Sequence, residues 1–136
     1  LAAFVESQVE SQLCFMKIEN GKTIAQHVGN AGEQRAAEWL WLKGFDIVEQ
    51  NCRVGRYEVD LVCKQNRDWV FVEVKTRTES WGASPEIAVD YKKRQHLQKA
   101  AEGYMKRKGL ETLPRLDVVA VSILSHGTQM MYFQGK

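Results

Sequence analysis

The sequence predicts an α/β fold, a mixed central sheet flanked by helices, and three observations lead there. Two segments repeat apolar residues every three to four positions, the spacing of an amphipathic helix: Ala36, Ala37, Leu40 and Trp41, then Ala88, Val89, Leu97, Ala100, Ala101, Tyr104 and Met105. Short runs rich in Val, Ile and Phe, bounded by Gly, Asn and Asp, read as strands between and after them. The resulting order is helix, three strands, helix, two strands, and packing helices against the sheet buries the apolar side of each element.

The elements follow in order. The segment 1–20 has no clean period and reads as a peripheral N-terminal extension to one domain spanning 21–136. Asn30 can cap the first helix, with Glu33 three residues on as in a capping box, and Gly44 stops it after Lys43. Phe45, Ile47 and Val48 suggest a short strand, 51-NCRVGR-56 a turn, and Tyr57 to Cys63 a second strand. A polar turn from Lys64 to Asp68 leads to a third strand, Trp69 to Thr76, close enough for an antiparallel meander. Pro85 suits the first turn of the second helix, which Gly109 ends. The run 116-LDVVAVSIL-124 reads as a strand of the sheet centre and Gln129 to Phe133 as a last, edge strand. The ending 132-YFQG-135 resembles the tail of a protease-recognition tag and reads as vector-derived.

Bulk composition excludes several classes. A chain of 136 residues with 44% apolar and 26% charged residues suits one soluble domain with one core. No apolar run approaches the roughly 20 residues of a membrane span. Glu6 and Glu10 break up the only stretch that could pass for a secretory signal, so a cytoplasmic location is expected. Cys14, Cys52 and Cys63 lack metal-ligand spacing and read as free thiols, with Cys63 in the core. The net charge of +2 is slight, but seven basic residues face one acid between Tyr91 and Lys108. Such a segment is either a solvated helix face or a surface for phosphates.

The strands carry the chemistry. In 57-YEVDLVC-63, Glu58 and Asp60 share one face by the period of two, and Val59 and Leu61 the other. In the third strand Val70, Val72 and Val74 share a face, and Phe71, Glu73, Lys75 and Arg77 share the opposite one. Charges among buried strands must be paired, hydrated or bound to metal, because burying a lone ion costs several kcal/mol. One reading is an exposed edge with surface salt bridges. The other is a Mg2+ site in which Asp60 and Glu73 supply carboxylates and Lys75 serves a water or a phosphate.

The constellation Asp60…Glu73-Val74-Lys75 matches the PD-(D/E)XK nuclease signature, a weak pattern alone. Its surroundings, Gly29, Gly32-Glu33, Ala37, Leu40, Gly44, Asn51, Arg53, Glu58-Val59-Asp60-Leu61, 70-VFVEVKTR-77, Gly82, Val89, Lys93, Leu97, Ala100 and 117-DVVAV-121, resemble the YraN-like family across about residues 29 to 124. These are small bacterial proteins predicted to be endonucleases and similar to archaeal Holliday-junction resolvases. The resemblance implies a restriction-endonuclease-like core, αβββαβ, and a Mg2+-dependent (or Mn2+-dependent) DNA endonuclease acting on branched DNA. It implies Glu33, Asp60 and Glu73 as metal ligands and, with the catalytic Lys75, as the catalytic set. Arg53, Arg77, Lys93 and Arg94 would meet nucleic acid. Glu58 either joins the acids or pairs with Arg53 or Arg56. Arg115 reads as structural. Analogy with resolvases implies a homodimer, and no small organic cofactor is expected. Where the family usually has glycine before the Glu-x-Asp, this chain has Tyr57, a side chain able to stack on a base. The competing reading is a nucleic-acid-binding or scaffolding protein without turnover, carried by the basic segment.

Overall fold

A computed structural model describes residues 2–8, 31–78, 91–125 and 127–135. Its elements are β1 (Ala2–Gln8), α1 (Ala31–Leu42), β2 (Asp46–Val54), β3 (Tyr57–Gln65), β4 (Asp68–Thr78), α2 (Tyr91–Arg107), β5 (Arg115–Leu124) and β6 (Gly127–Gln134). The expected Asn30 cap, the Pro85 helix start and Cys14 lie outside the described residues.

The strands form one sheet in the order β1-β6-β5-β4-β3-β2. β2, β3 and β4 are the antiparallel meander that their short connections require. β4 and β5 run parallel through the sheet centre, and the chain between them contains α2, as a parallel crossover needs. β6 is not an edge, because β1 pairs along its outer side from Ala2↔Gln134 to Gln8↔Thr128. No periodic signal in the sequence marks that strand. The turn expected over residues 51–56 is confined to Gly55 and Arg56, and Asn51 to Val54 continue β2.

The helices cover opposite sides of the sheet. Ala36, Ala37, Trp39 and Leu40 of α1 pack with Val70, Val72, Val74, Val119 and Val121 in one buried cluster. Leu97, Ala100, Ala101, Tyr104 and Met105 of α2 pack with Phe71, Val62 and Leu116 in the other. The odd and even residues of β4 thus serve different helices, as strand alternation dictates. Trp39 and Trp41 cannot share a helix face, and Trp39 is buried while Trp41 is 44% exposed. Cys52 and Cys63 are buried free thiols.

The C-terminal strand is fastened beside the first half of β4, where Arg115 pairs with Val70 and Asp117 with Val72. Asp117 is fully buried and accepts hydrogen bonds from Arg115 Nε at 3.2 Å, Arg115 Nη2 at 3.0 Å, the Tyr132 hydroxyl and the Gly135 N–H at 2.9 Å. Arg115 also donates to Gln65 at 2.8 Å. Burial lowers the arginine's affinity for its proton, but the Asp117 hydrogen bond and charge outweigh it and hold the guanidinium firmly charged. At Gly135 a Cβ would stand 1.9 Å from the Leu116 carbonyl oxygen, so only glycine allows that approach. The tag-like 132-YFQG-135 is therefore an integral part of the fold, and Arg115 is structural as expected.

Candidate active site where β3 leaves β4

The β3–β4 ladder runs from Gln65↔Asp68 to Leu61↔Val72 and stops there. One further step would set Asp60 opposite Glu73. Instead the Asp60 side chain enters the gap and Oδ2 accepts the Val74 N–H at 2.8 Å. A carboxylate thus satisfies a backbone donor at the point where the strands part.

The alternation of β3 slips at the same place. Val59 belongs to the α2-side cluster and Leu61 to the α1-side cluster. Two residues apart on a regular strand they would share a side, as the sequence pattern predicts. An irregularity of the partner strand lies directly across the ladder. Gln50 pairs with Leu61 and Cys52 with Val59, so Asn51 stands across from Asp60, and Asn51 has a left-handed φ of 50°. Asn tolerates that conformation better than most residues, and the change of side in β3 falls directly across from it.

Glu33 arrives from α1. Its neighbour Gly32 lies so close to β4 that a Cβ would meet Thr76 Oγ1 at 1.7 Å and Thr76 Cβ at 2.8 Å. This flush approach lowers the first turn of α1 onto the sheet. The Glu33 carboxyl then comes close enough to Asn51 and Asp60 to feel both electrostatically.

These acids line one cavity of about 400 Å³, together with Glu58 and Glu73. Its remaining wall comes from Arg56, Tyr57 and, on α2, Lys93, His96 and Leu97. Partial burial, with the negative charges of Asp60 and Glu58, pushes the Glu33 carboxyl up to about 7, against the lowering effect of the Asn51 side chain. Asp60 is also raised, by burial and by Glu73 and Glu58, while the Val74 N–H and Lys93 pull it down. The centre is anionic and short of cations.

The remaining predicted residues divide. Lys93 enters the cavity, with Nζ 3.9 Å from Glu73 Oε1. Lys75, half-buried on β4 two residues beyond Glu73, does not line it. Arg53 is exposed on β2 opposite Glu58 in the ladder, outside the cavity lining. Arg94 lies in a separate polar depression on α2 with Gln98, Lys99 and Glu102. The Arg77 side chain lies outside the described residues. Sequence reasoning gave Asn51 no role beyond its place in the family pattern and left His96 out. A left-handed Asn inside a strand leaves no periodic signal, and a lone His on a basic helix leaves none either.

A family profile described as "Uncharacterised protein family UPF0102" matches residues 32–121. The chain belongs to the UPF0102 family. Similar relatives include a UPF0102 protein of Shewanella sediminis, 35% identical over 76% of this chain and 89% of the relative. Another, from Caldanaerobacter subterraneus subsp. tengcongensis, is 40% identical over 78% of this chain and 84% of its own length. A third, from Anaeromyxobacter dehalogenans, is 43% identical over 71% and 73%. Among solved structures, Pyrococcus furiosus SfsA in complex with Ca2+ aligns over 97% of this chain and 75% of its own, with a TM-score of 0.36 and 14% identity. That likeness is too remote to bear on chemistry. The UPF0102 match spans every element from α1 to most of β5, and with them each residue of the acidic cavity. No described helix of this UPF0102 chain is long and apolar enough to cross a membrane.

Proposed function

We propose that this UPF0102 chain is a divalent-metal-dependent DNA endonuclease of the PD-(D/E)XK type, hydrolysing phosphodiester bonds. The observation that carries the reading is the convergence of Glu33, Asp60 and Glu73 with Lys93 in one cavity at the parting of β3 and β4. Burial, with the neighbouring carboxylates, holds Glu33 near 7, and a cation between these acids would favour their charged forms. The donor set is all oxygen, which suits Mg2+ or Mn2+ and not the sulfur and imidazole donors typical of zinc. Among the described residues no group of three or more His, Cys, Asp or Glu is drawn together closely enough to cage an ion. Mg2+ needs no such cage, since it binds through one or two carboxylates and keeps several waters. Asp60 and Glu73 would hold it, with Glu33 reaching it once deprotonated. When bound, such an ion lowers the pKa of a water and offsets charge on the phosphate.

The chain's own groups do the rest. The Val74 N–H fixes the Asp60 carboxylate, and Lys93 offsets negative charge at Glu73. Lys75, next on the same face of β4, is assigned to the phosphate or its attacking water. The exposed Lys92, Lys99, Lys106, Arg107 and Lys108 of α2 and its C-terminal turn extend a positive surface for the backbone of the nucleic acid. A cytoplasmic location and a homodimer acting on branched DNA complete the proposal. Light scattering reads the oligomeric state.

Labelled duplex, single-strand and four-way-junction DNA incubated with Mg2+ or Mn2+ test the activity. Cleavage is expected to vanish in Asp60→Ala and Glu73→Ala, and cleavage that survives both substitutions refutes it. The alternative, a nucleic-acid-binding protein without turnover, is favoured by the basic surface of α2. It requires binding that weakens with salt and needs no metal.

A further inference from the structure

One wall of the acidic cavity is made of planar groups that the hydrolytic reading leaves unused. The Tyr57 ring lies 5.1 Å from the His96 ring, centroid to centroid, with the planes 38° apart. On the same tyrosine the Arg56 guanidinium stands 5.3 Å from the ring centroid, and Arg56 Nη2 donates to the Tyr57 hydroxyl at 3.1 Å. Tyr57 is half-buried and packs against the α2-side core, so its ring is anchored. Arg56 and His96 are exposed, and all three line the cavity that holds Asp60 and Glu73. A stack serving stability alone would bury its members, whereas this one presents its outer members to the cavity.

We propose that Arg56, Tyr57 and His96 form a stacking wall that receives the base of an unpaired nucleotide beside the acids. The assignment rests on the phosphodiester reading above and narrows its substrate class. Every base offers a π-face, so aromatic and guanidinium planes bind bases without regard to sequence. The wall and the acids share one cavity of about 400 Å³, in the usual range of a small-ligand pocket and too small for a duplex to enter. A base can reach the wall while its phosphate meets the acids only if it has left its partner. The protein therefore selects single strands, flaps or frayed ends over continuous duplex.

The test uses the full chain with Ca2+, another oxygen-seeking cation, in place of Mg2+. The probe is a short single-stranded oligodeoxynucleotide carrying 5-iodouracil, alone or annealed to its complement. Irradiation is expected to crosslink the single strand to Tyr57 or His96, mapped by mass spectrometry, and to leave the duplex uncoupled there. Tyr57→Leu, which keeps apolar packing, should cut the single-strand over duplex preference about tenfold, within what one stacked base contributes. Tyr57→Phe should restore it, and matching circular dichroism and melting curves show that the variants fold. Crosslinks mapping only to the outward lysines of α2, an unchanged preference in Tyr57→Leu, or no single-strand binding overturns the assignment. The binding measurement needs no turnover. If cleavage is absent but the selective crosslink persists, the nuclease reading alone falls. If cleavage is present and Tyr57→Leu changes no preference, the stacking wall alone falls.

Discussion

Replacing Glu33 by Gln should stabilise the metal-free protein above neutral pH, because the acidic cavity penalises the charged carboxylate. In the folded chain Glu33 is raised from an ordinary 4.5 to about 7, first by burial and then by Asp60. A carboxyl raised in the native state binds its proton more tightly there than in the unfolded chain. Its stability contribution is therefore complete below pH 4.5 and lost as pH rises through about 7. At roughly 1.4 kcal/mol per pH unit the ceiling is ~3 kcal/mol. Glu33 is only half-buried, and solvent screening reduces this to about 1–2 kcal/mol. Urea unfolding in EDTA, from pH 4.5 to 8.5, reads it directly. The wild type should lose that amount across the range relative to Glu33→Gln, and Mg2+ should restore it by favouring the charged form. Parallel stability curves for the two proteins would refute the claim that burial and Asp60 together penalise the charged Glu33.

Two further perturbations address how the site is held. Gly32→Ala would ordinarily help a helix by up to ~1 kcal/mol, but here the new Cβ meets Thr76 at 1.7 Å. We expect a loss of about 1–3 kcal/mol, as for other overpacked sites, read as a lowered urea midpoint with reduced cleavage as Glu33 is displaced; a gain in stability would contradict the flush docking of α1. Arg115→Met leaves the fully buried Asp117 without its cation and should cost about 3 kcal/mol, with much of the loss recovered in Arg115→Met/Asp117→Leu. A change under ~1 kcal/mol by thermal or urea unfolding would mean that Tyr132 and Gly135 suffice.

Much of the fold was legible because helical and strand periods are local. Val70, Val72 and Val74 against Phe71 and Glu73 state by themselves that β4 has two different sides, and the structure gives those sides to different helices. The two short connections joining β2, β3 and β4 left little choice but a meander. β1 was illegible because Ala2–Gln8 carries no alternating pattern, and its pairing depends on the outer side of a strand at the far end of the chain. The turn between β2 and β3 was placed too early because Asn51 and Gly55 together read as a turn. Asn51 does take a left-handed φ of 50°, but inside the ladder, where neighbouring pairs on both sides hold it.

The sequence by itself determined the α/β order, the buried faces, and the presence of Asp60 and Glu73 where apolar residues were due. Those are matters of period and composition along short segments. Only the tertiary structure decided that β3 parts from β4 at Asp60, that Gly32 seats α1 deep enough for Glu33 to reach it, and that Lys93 lines the cavity while Lys75 does not. It also set Tyr57 against His96, residues 39 positions apart. Each of these depends on where two packed layers stop touching, and that is fixed by the fit of side chains distant in sequence.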